Sequence, residues 1–371
     1  MMNKPDVRPA RPHFSSGPCA KPPGWRPDRL ALEGLGRSHR SAHNKARLAH
    51  CIAMMRDLLD LPDSHRIGIV PGSDTGAFEM AMWTMLGARR VTAMGWEAFG
   101  KDWVKDAIEQ LRLDPIAIEA DYGDLPHLDE VDWSTDVLFT WNGTTSGVRV
   151  PDGDWIPDDR EGLSFADATS AVFAHRLPWA KIDVATFSWQ KVLGGEAAHG
   201  VLILGPRAVE RLESFRPERP LPKLFRLTKG GKLNEGIFTG ATINTPSMLC
   251  VEDAIVALEW ARGIGGLDAM IERAKANAAA VDRLVAARDW LHHLCPDPAI
   301  RSRTGVCLTV DGPPERAKAI VKLIEDEGVA YDFGAYRDAP AGLRIWCGAT
   351  VDTADIDKLG PWLDWAWAKT A

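Results

Sequence analysis

The sequence contains no Cys-x-x-Cys pair. Its six cysteines (Cys19, Cys51, Cys250, Cys295, Cys307 and Cys347) are scattered over 371 residues, which excludes the usual zinc spacings and a disulfide framework and leaves them as expected buried thiols. No stretch approaches the roughly 18 consecutive apolar residues of a membrane span, and residues 1–13, with Lys4, Arg8, Arg11 and three prolines, lack the apolar core of a signal peptide. Positive charge is not in excess either. The net charge of -7 excludes a protein that coats nucleic acid through a general basic field, so any anion must be held locally. There is no internal repeat and no low-complexity tract. These absences lead to the expectation of a cytoplasmic enzyme with no metal site, no nucleic-acid partner and no membrane partner.

What is present is a chain of 45% hydrophobic residues, long enough for two domains. The first 36 residues are rich in proline and glycine and are expected to form an extended arm, with Phe14-Ser15-Ser16-Gly17-Pro18 packing on the rest. Leu48, Ile52, Met55 and Leu59 share a helical face over 46–59, ended by Pro62. From Pro71 to about Leu204 the pattern alternates. Helices are expected over 73–85 and 102–111, and short apolar runs at 67–70, 90–93, 115–118, 137–140, 163–166, 182–187 and 201–204 are expected as buried strands of a mostly parallel sheet. This predicts an α/β fold. Residues 216–246, with Pro217, Pro220, Pro222 and Gly240, are expected to be irregular, and so long a loop is usually functional or contacts another subunit. Helices are then expected over 247–262 and to about 287, strands over 305–310 and 343–347, and a Trp-rich helix at the end.

The chemistry-bearing residues sit at the ends of these runs. Asp167 follows the apolar run 163–166, and Lys191 follows 182–187 within Ser188-Trp189-Gln190-Lys191. A lysine among aromatic and glycine neighbours is placed to be desolvated, which makes the amine nucleophilic and able to form a Schiff base. An aspartate and a lysine on successive strand ends are the pairing that pyridoxal phosphate needs: the lysine holds the aldehyde and the carboxylate keeps the ring nitrogen protonated. Gly72-Ser73-Asp74-Thr75-Gly76 leads from a strand into a helix and offers free N–H groups to a phosphate, although an ordinary N-cap explains the same residues. Phe99 follows a strand and can stack on a flat ring. Thr144 lies in Asn142-Gly143-Thr144-Thr145, otherwise an ordinary turn. Arg37, His39, Arg40, Lys45 and Arg47 concentrate positive charge, a site for a phosphorylated small molecule or a solvated helix start. Arg344 falls inside an apolar strand, where a guanidinium requires an anionic partner. Each feature alone has a plain structural explanation; their order along the chain ties them together.

With these residues in place, the chain resembles the fold-type I pyridoxal phosphate enzymes, and within their class V branch the phosphoserine aminotransferases. The resemblance runs from Phe14-Ser15-Ser16-Gly17-Pro18 through Ser38-His39-Arg40-Ser41, Asn142-Gly143-Thr144-Thr145-Ser146-Gly147, Phe165-Ala166-Asp167, Ser188-Trp189-Gln190-Lys191 and Asn244-Thr245-Pro246 to Gly342-Leu343-Arg344, with Ser-His-Arg-Ser as the distinguishing element. It implies an arm (1–36), a large cofactor domain (37–255) with a mostly parallel seven-stranded sheet, and a smaller C-terminal α+β domain (256–371). Lys191 and Asp167 would be catalytic. Asp74, Thr75, Phe99, Thr144, Thr169 and Gln190 would hold pyridoxal 5'-phosphate, with Asn244 and Thr245 reaching over from the second subunit of a homodimer. His39 and Arg40, also from the partner, with Arg337 and Arg344, would hold the substrates: L-glutamate, O-phospho-L-serine and their 2-oxo acids. Serine biosynthesis is the implied pathway, and pyridoxine biosynthesis a further one through 4-phosphohydroxy-L-threonine. The chain departs from better-known members at Asp74-Thr75, where many carry arginine, at Phe99, where many carry tryptophan, and at Arg337, where histidine is common. The alternatives are an alanine or serine–glyoxylate aminotransferase, a cysteine desulfurase, which would need a catalytic cysteine in a mobile loop, and a non-catalytic ligand- or nucleic-acid-binding protein.

Overall fold

The computed structural model describes residues 2–370. Its large sheet has seven strands: β1 (Arg66–Pro71), β2 (Val91–Gly95), β3 (Ile116–Glu119), β4 (Asp136–Thr140), β5 (Ser164–Asp167), β6 (Val184–Ser188) and β7 (His199–Leu204), in the spatial order β1-β7-β6-β5-β4-β2-β3. The five strands from β6 to β3 are parallel, while β7 runs antiparallel to both β6 and β1. Strands that run the same way need a crossover, supplied between β1 and β2 by α2 (Ser73–Met85) and between the neighbours β2 and β3 by α3 (Ala98–Glu109). The link from β6 to β7 contains no helix, and the chain simply doubles back.

Helices cover both faces of the sheet, which is why its central strands are apolar throughout. Phe165 and Leu202 face one core with Phe78, Met82 and Trp103 of α2 and α3 and Leu212 of α4 (Pro206–Ser214). Ala166, Val201 and Ile203, one residue away, face the other with α1 (Ala42–Leu58) and α5 (Met248–Gly263). The register sets Thr140 beside Asp167 and Asp167 beside Thr186. The carboxyl ends of β4, β5 and β6 therefore meet at one rim, the usual place for a ligand in an open α/β sheet.

After α5, the long α6 (Gly266–Ala286) leads to a three-stranded antiparallel sheet of β8 (Leu291–His293), β9 (Gly305–Val310) and β10 (Gly342–Trp346), packed with α7 (Pro314–Asp326), the short α8 (Thr353–Asp357) and α9 (Leu359–Lys369). Trp290 stacks on Trp367 at 4.5 Å between ring centroids. Among the described residues no helix is long and apolar enough to cross a membrane.

Three local expectations are corrected. Helix α3 begins at Ala98, four residues before the apolar spacing becomes visible, because the Glu97 side chain caps it by accepting from Gly100 N–H at 2.7 Å. Strand β3 alternates half-buried and exposed residues instead of being buried, since it is the sheet's edge. Strand β8 is too short at three residues to give a periodic signal. The N-terminal arm returns to the body: Phe14 is fully buried, worth roughly 1.5–3 kcal/mol, and its carbonyl accepts from Trp346 N–H at 3.1 Å. Cys19 N–H donates to Gln190 O at 2.9 Å, so the arm crosses the rim where β6 ends.

Candidate active site

Strand β5 ends on Asp167, and the turn after β6 carries Gln190 and Lys191. Facing them are the first turn of α2, with Ser73, Asp74 and Thr75, and side chains of Phe99, Trp103, Thr144 and Thr169; together these line one cleft whose interior is about 100 Å³. Larger hollows of about 360, 640, 500 and 300 Å³ lie elsewhere. Lys191 lines none of them, so the convergence of chemical groups and not size marks this cleft.

Asp167 is held rigidly. Its Oδ2 accepts from Trp103 Nε1–H at 3.0 Å and its Oδ1 from Thr169 N–H at 3.1 Å. Thr169 Oγ1 meets Ser188 Oγ at 3.2 Å, and Thr144 donates to Ser170 Oγ at 2.8 Å, which in turn donates to Asn142 O at 2.8 Å. Lys191 Nζ donates to Ser16 O on the arm at 2.6 Å. Burial lowers the pKa of the Lys191 amine, and the nearby Arg344 guanidinium lowers it further, against the opposing effects of Cys19, Asp167 and Asp74. The buried Glu97, which also accepts from Thr145 Oγ1 at 2.7 Å, is pushed up to about 7 by desolvation.

The rim is built for a ligand that supplies polar partners. Gln190 Oε1 and Arg344 Nε are buried with no hydrogen-bond partner, an arrangement that costs free energy unless something else completes it. Gly72, φ +88°, is the N-cap of helix α2 and supplies no side-chain cap, so the helix's first N–H groups are free for an anion. Gly200 and Gly76 allow this turn its close approach: a Cβ at Gly200 would lie 2.1 Å from Ser73 O and one at Gly76 2.4 Å from Pro71 O. A phosphate-bearing, planar, aldehyde-carrying cofactor fits this donor set, with its phosphate at the α2 turn, its ring against Phe99 and its ring nitrogen toward Asp167.

The fit has an independent counterpart. At 57% identity over 365 residues, covering 98% of this chain and 99% of the relative, the chain is similar to a phosphoserine aminotransferase of Methanosarcina mazei. The chain belongs to the phosphoserine aminotransferase family. No family model matches it. Two solved structures share the fold: the phosphoserine aminotransferase of Cytophaga hutchinsonii, TM-score 0.82 at 20% identity over 95% of this chain and 97% of that one, and a PLP-bound phosphoserine aminotransferase of Trichomonas vaginalis, TM-score 0.76 at 18% identity over 95% and 99%. The large, mostly parallel seven-stranded sheet is thus the fold-type I arrangement that the sequence resemblance implied.

In this phosphoserine aminotransferase family member, the residues expected at the site divide into two groups. Asp74, Thr75, Phe99, Thr144, Asp167, Thr169, Gln190 and Lys191 all line the cleft. Phe99 does so where Trp96 does not, because Trp96 is fully buried and donates to Val148 O at 3.4 Å. Arg344, on β10, is not among the lining residues but comes close enough to bias Lys191 and lies 5.7 Å from the Tyr336 ring, which in turn lies 5.6 Å from the Phe99 ring. His39, Arg40, Asn244, Thr245 and Arg337 do not line this cleft. Arg40 is exposed on the turn before α1, a turn fixed by Asn44, whose Nδ2 donates to Gly34 O at 3.0 Å and Ser38 O at 3.2 Å. Asn244 donates to Thr245 O at 3.3 Å in an exposed segment, and Arg337 pairs with its exposed neighbour Asp338 at 3.2 Å.

Sequence reasoning missed Trp103 and Ser16. Trp103 stands one helical turn after Phe99 in α3, and that i,i+4 spacing was a usable signal. Ser16 had none, since its carbonyl meets Lys191 across 175 positions of chain. A Cβ at Gly17 would lie 2.6 Å from Lys191 Nζ. Because the obstacle is the end of a flexible side chain, Gly17→Ala is expected to fold normally, with an unchanged melting temperature, while the displaced amine binds cofactor more weakly and turnover falls at least tenfold; unchanged turnover would show that the arm does not confine the lysine.

Proposed function

We propose that this chain catalyses the reversible transfer of the amino group of L-glutamate to 3-phosphohydroxypyruvate, giving O-phospho-L-serine and 2-oxoglutarate, with pyridoxal 5'-phosphate as its cofactor. The observation that carries the reading is the cleft in which Lys191, Asp167 and the uncapped start of α2 converge beside Phe99, in a chain from this family.

When bound, the cofactor supplies an aldehyde that takes up amino groups and a protonated ring that withdraws electrons. Lys191 would hold that aldehyde between turnovers. Asp167, oriented by Trp103 and Thr169, would keep the ring nitrogen protonated; Ser73, Asp74 and Thr75 would hold the phosphate through backbone N–H groups and hydroxyls, and Thr144 and Gln190 would fix the ring's polar edge. Freed from the aldehyde, Lys191 Nζ would stand in the cleft beside a bound substrate. Its depressed pKa suits it to take the proton from the substrate Cα and to return it. Arg344 would bind the α-carboxylate common to both amino donors, its fork matching two oxygens.

The phosphate of the substrate would be held by His39 and Arg40, and the cofactor phosphate further by Asn244 and Thr245. Since these stand outside the chain's own cleft, the reading includes a homodimer with shared sites, and Arg337 stays a candidate for the substrate entrance. It also includes an arm of residues 1–36, a cofactor domain to residue 255 and a small domain beyond it, the second boundary falling inside α5, and a cytoplasmic enzyme of serine biosynthesis. Its extension to pyridoxine biosynthesis requires 4-phosphohydroxy-L-threonine as a second donor.

The deciding experiment compares amino donors. With 2-oxoglutarate as acceptor, O-phospho-L-serine is expected to exceed L-alanine in kcat/KM by about 10²-fold, since each charge-assisted contact to phosphate is worth about 1.5–3 kcal/mol. Equal use of L-alanine, or preference for glyoxylate as acceptor, would transfer the chain to the alanine or serine–glyoxylate aminotransferases.

A further inference from the structure

The cleft contains two carboxyl groups and a single amine. Asp167 is 3% exposed and Asp74 is 7% exposed, and both line the same cavity with Lys191. Asp167 already has one donor on each oxygen, from Trp103 and from Thr169. Asp74, in the first turn of α2, has Oδ1 buried without a partner. The groups that act on it are Asp167 at the end of β5, the Thr186 hydroxyl on β6 and Lys191 beyond it; Glu97, from the start of α3, acts on the same region and is held by Thr145 and Gly100. The amine does not neutralise Asp74, because Nζ is directed at Ser16 O.

Two buried carboxyls that line one cleft cannot both ionise at low cost, so one retains its proton and can offer it to the other as a hydrogen bond. Asp167 has two N–H donors that stabilise its anion, and Asp74 has none among its side-chain contacts. Burial, with the Asp167 charge adding to it, raises the Asp74 pKa well above the usual carboxylate range.

We propose that Asp74 and Asp167 form a carboxyl pair sharing one proton, in which Asp74 is a positioning residue that donates to Asp167 and so sets how strongly Asp167 holds the proton on the cofactor's ring nitrogen. The part about the ring nitrogen rests on the proposed function; the pair itself does not. An aspartate in the anion-binding turn thereby escapes conflict with the cofactor phosphate, since it enters the cleft uncharged. Its hydrogen bond draws charge from the Asp167 carboxylate, and its loss would return that charge to the oxygens that face the ring nitrogen.

The test uses the cofactor-free full chain and the carbonyl stretch of protonated carboxyl groups in difference infrared spectra across pH. The wild type minus Asp74→Asn difference is expected to show one protonated carboxyl at neutral pH, distinct from the contribution of Glu97, which both proteins share. In Asp167→Asn that carboxyl is expected to titrate at lower pH, because the neighbouring charge has gone. In the loaded enzyme, Asp74→Asn keeps a donor and is expected to hold the pH midpoint of the cofactor's visible band, whereas Asp74→Ala shifts it upward. An absent difference band, or a titration unmoved in Asp167→Asn, would overturn the pair. If instead the bands appear as expected but the protein takes up no cofactor, the pair stands and the proposed function fails.

Discussion

Lys191→Ala is expected to abolish the visible absorbance that develops when pyridoxal phosphate is added to the purified protein, and to remove nearly all transamination. The side chain has two separate tasks, covalent attachment and proton movement at the substrate Cα, and proton transfer alone is worth about 10²- to 10⁴-fold. Nothing in the cleft can replace it, since Lys191 is the only amine among its lining residues. The variant should fold, because the alanine removes one contact to the arm, Nζ to Ser16 O, and leaves the Cys19 N–H to Gln190 O bond in place. Spectra and rates recorded on the same preparation decide the matter; a visible band that survives the substitution would remove Lys191 from its assigned role.

Arg344→Ala should give the second largest effect. Its Nε is buried without an acceptor, and in the Cα-carboxylate reading a substrate completes it. Truncating one partner of a buried charge pair costs about 2–5 kcal/mol, or about 30- to several-thousand-fold in kcat/KM, and the loss should fall equally on O-phospho-L-serine and L-glutamate. Arg344→Lys should recover little of it, because an ammonium cannot bind two oxygens in one plane. A kcat/KM that falls for only one donor would move Arg344 to a side-chain subsite, and an unchanged value would make its position beside Tyr336, 5.7 Å from ring centroid to guanidinium, purely structural.

These two positions differ in how they could be found. Lys191 and Asp167 are legible because each terminates an apolar run, and in a sheet whose central strands are buried on both faces the first polar residue after such a run emerges at the carboxyl rim. Arg344 is legible as an anomaly, a cation inside an apolar strand. Its nearness to Lys191 is not, because that follows from how the small antiparallel sheet docks on the large one. The start of α3 was misplaced for a related reason: Glu97 is a buried cap, and a single carboxylate accepting from Gly100 N–H leaves no periodic trace.

By itself the sequence determined the α/β alternation, the order of the phosphate turn, aromatic, aspartate and lysine along the chain, and the family to which that order belongs. Only the tertiary structure decided that Trp103 and Thr169 orient Asp167, that the arm brings Ser16 to Lys191, and that Asp74 and Asp167 line one cleft with that lysine. Periodicity and propensity act over a few residues. The contacts that tune this cleft join segments tens to hundreds of positions apart, and their distances are fixed by how helices and strands pack.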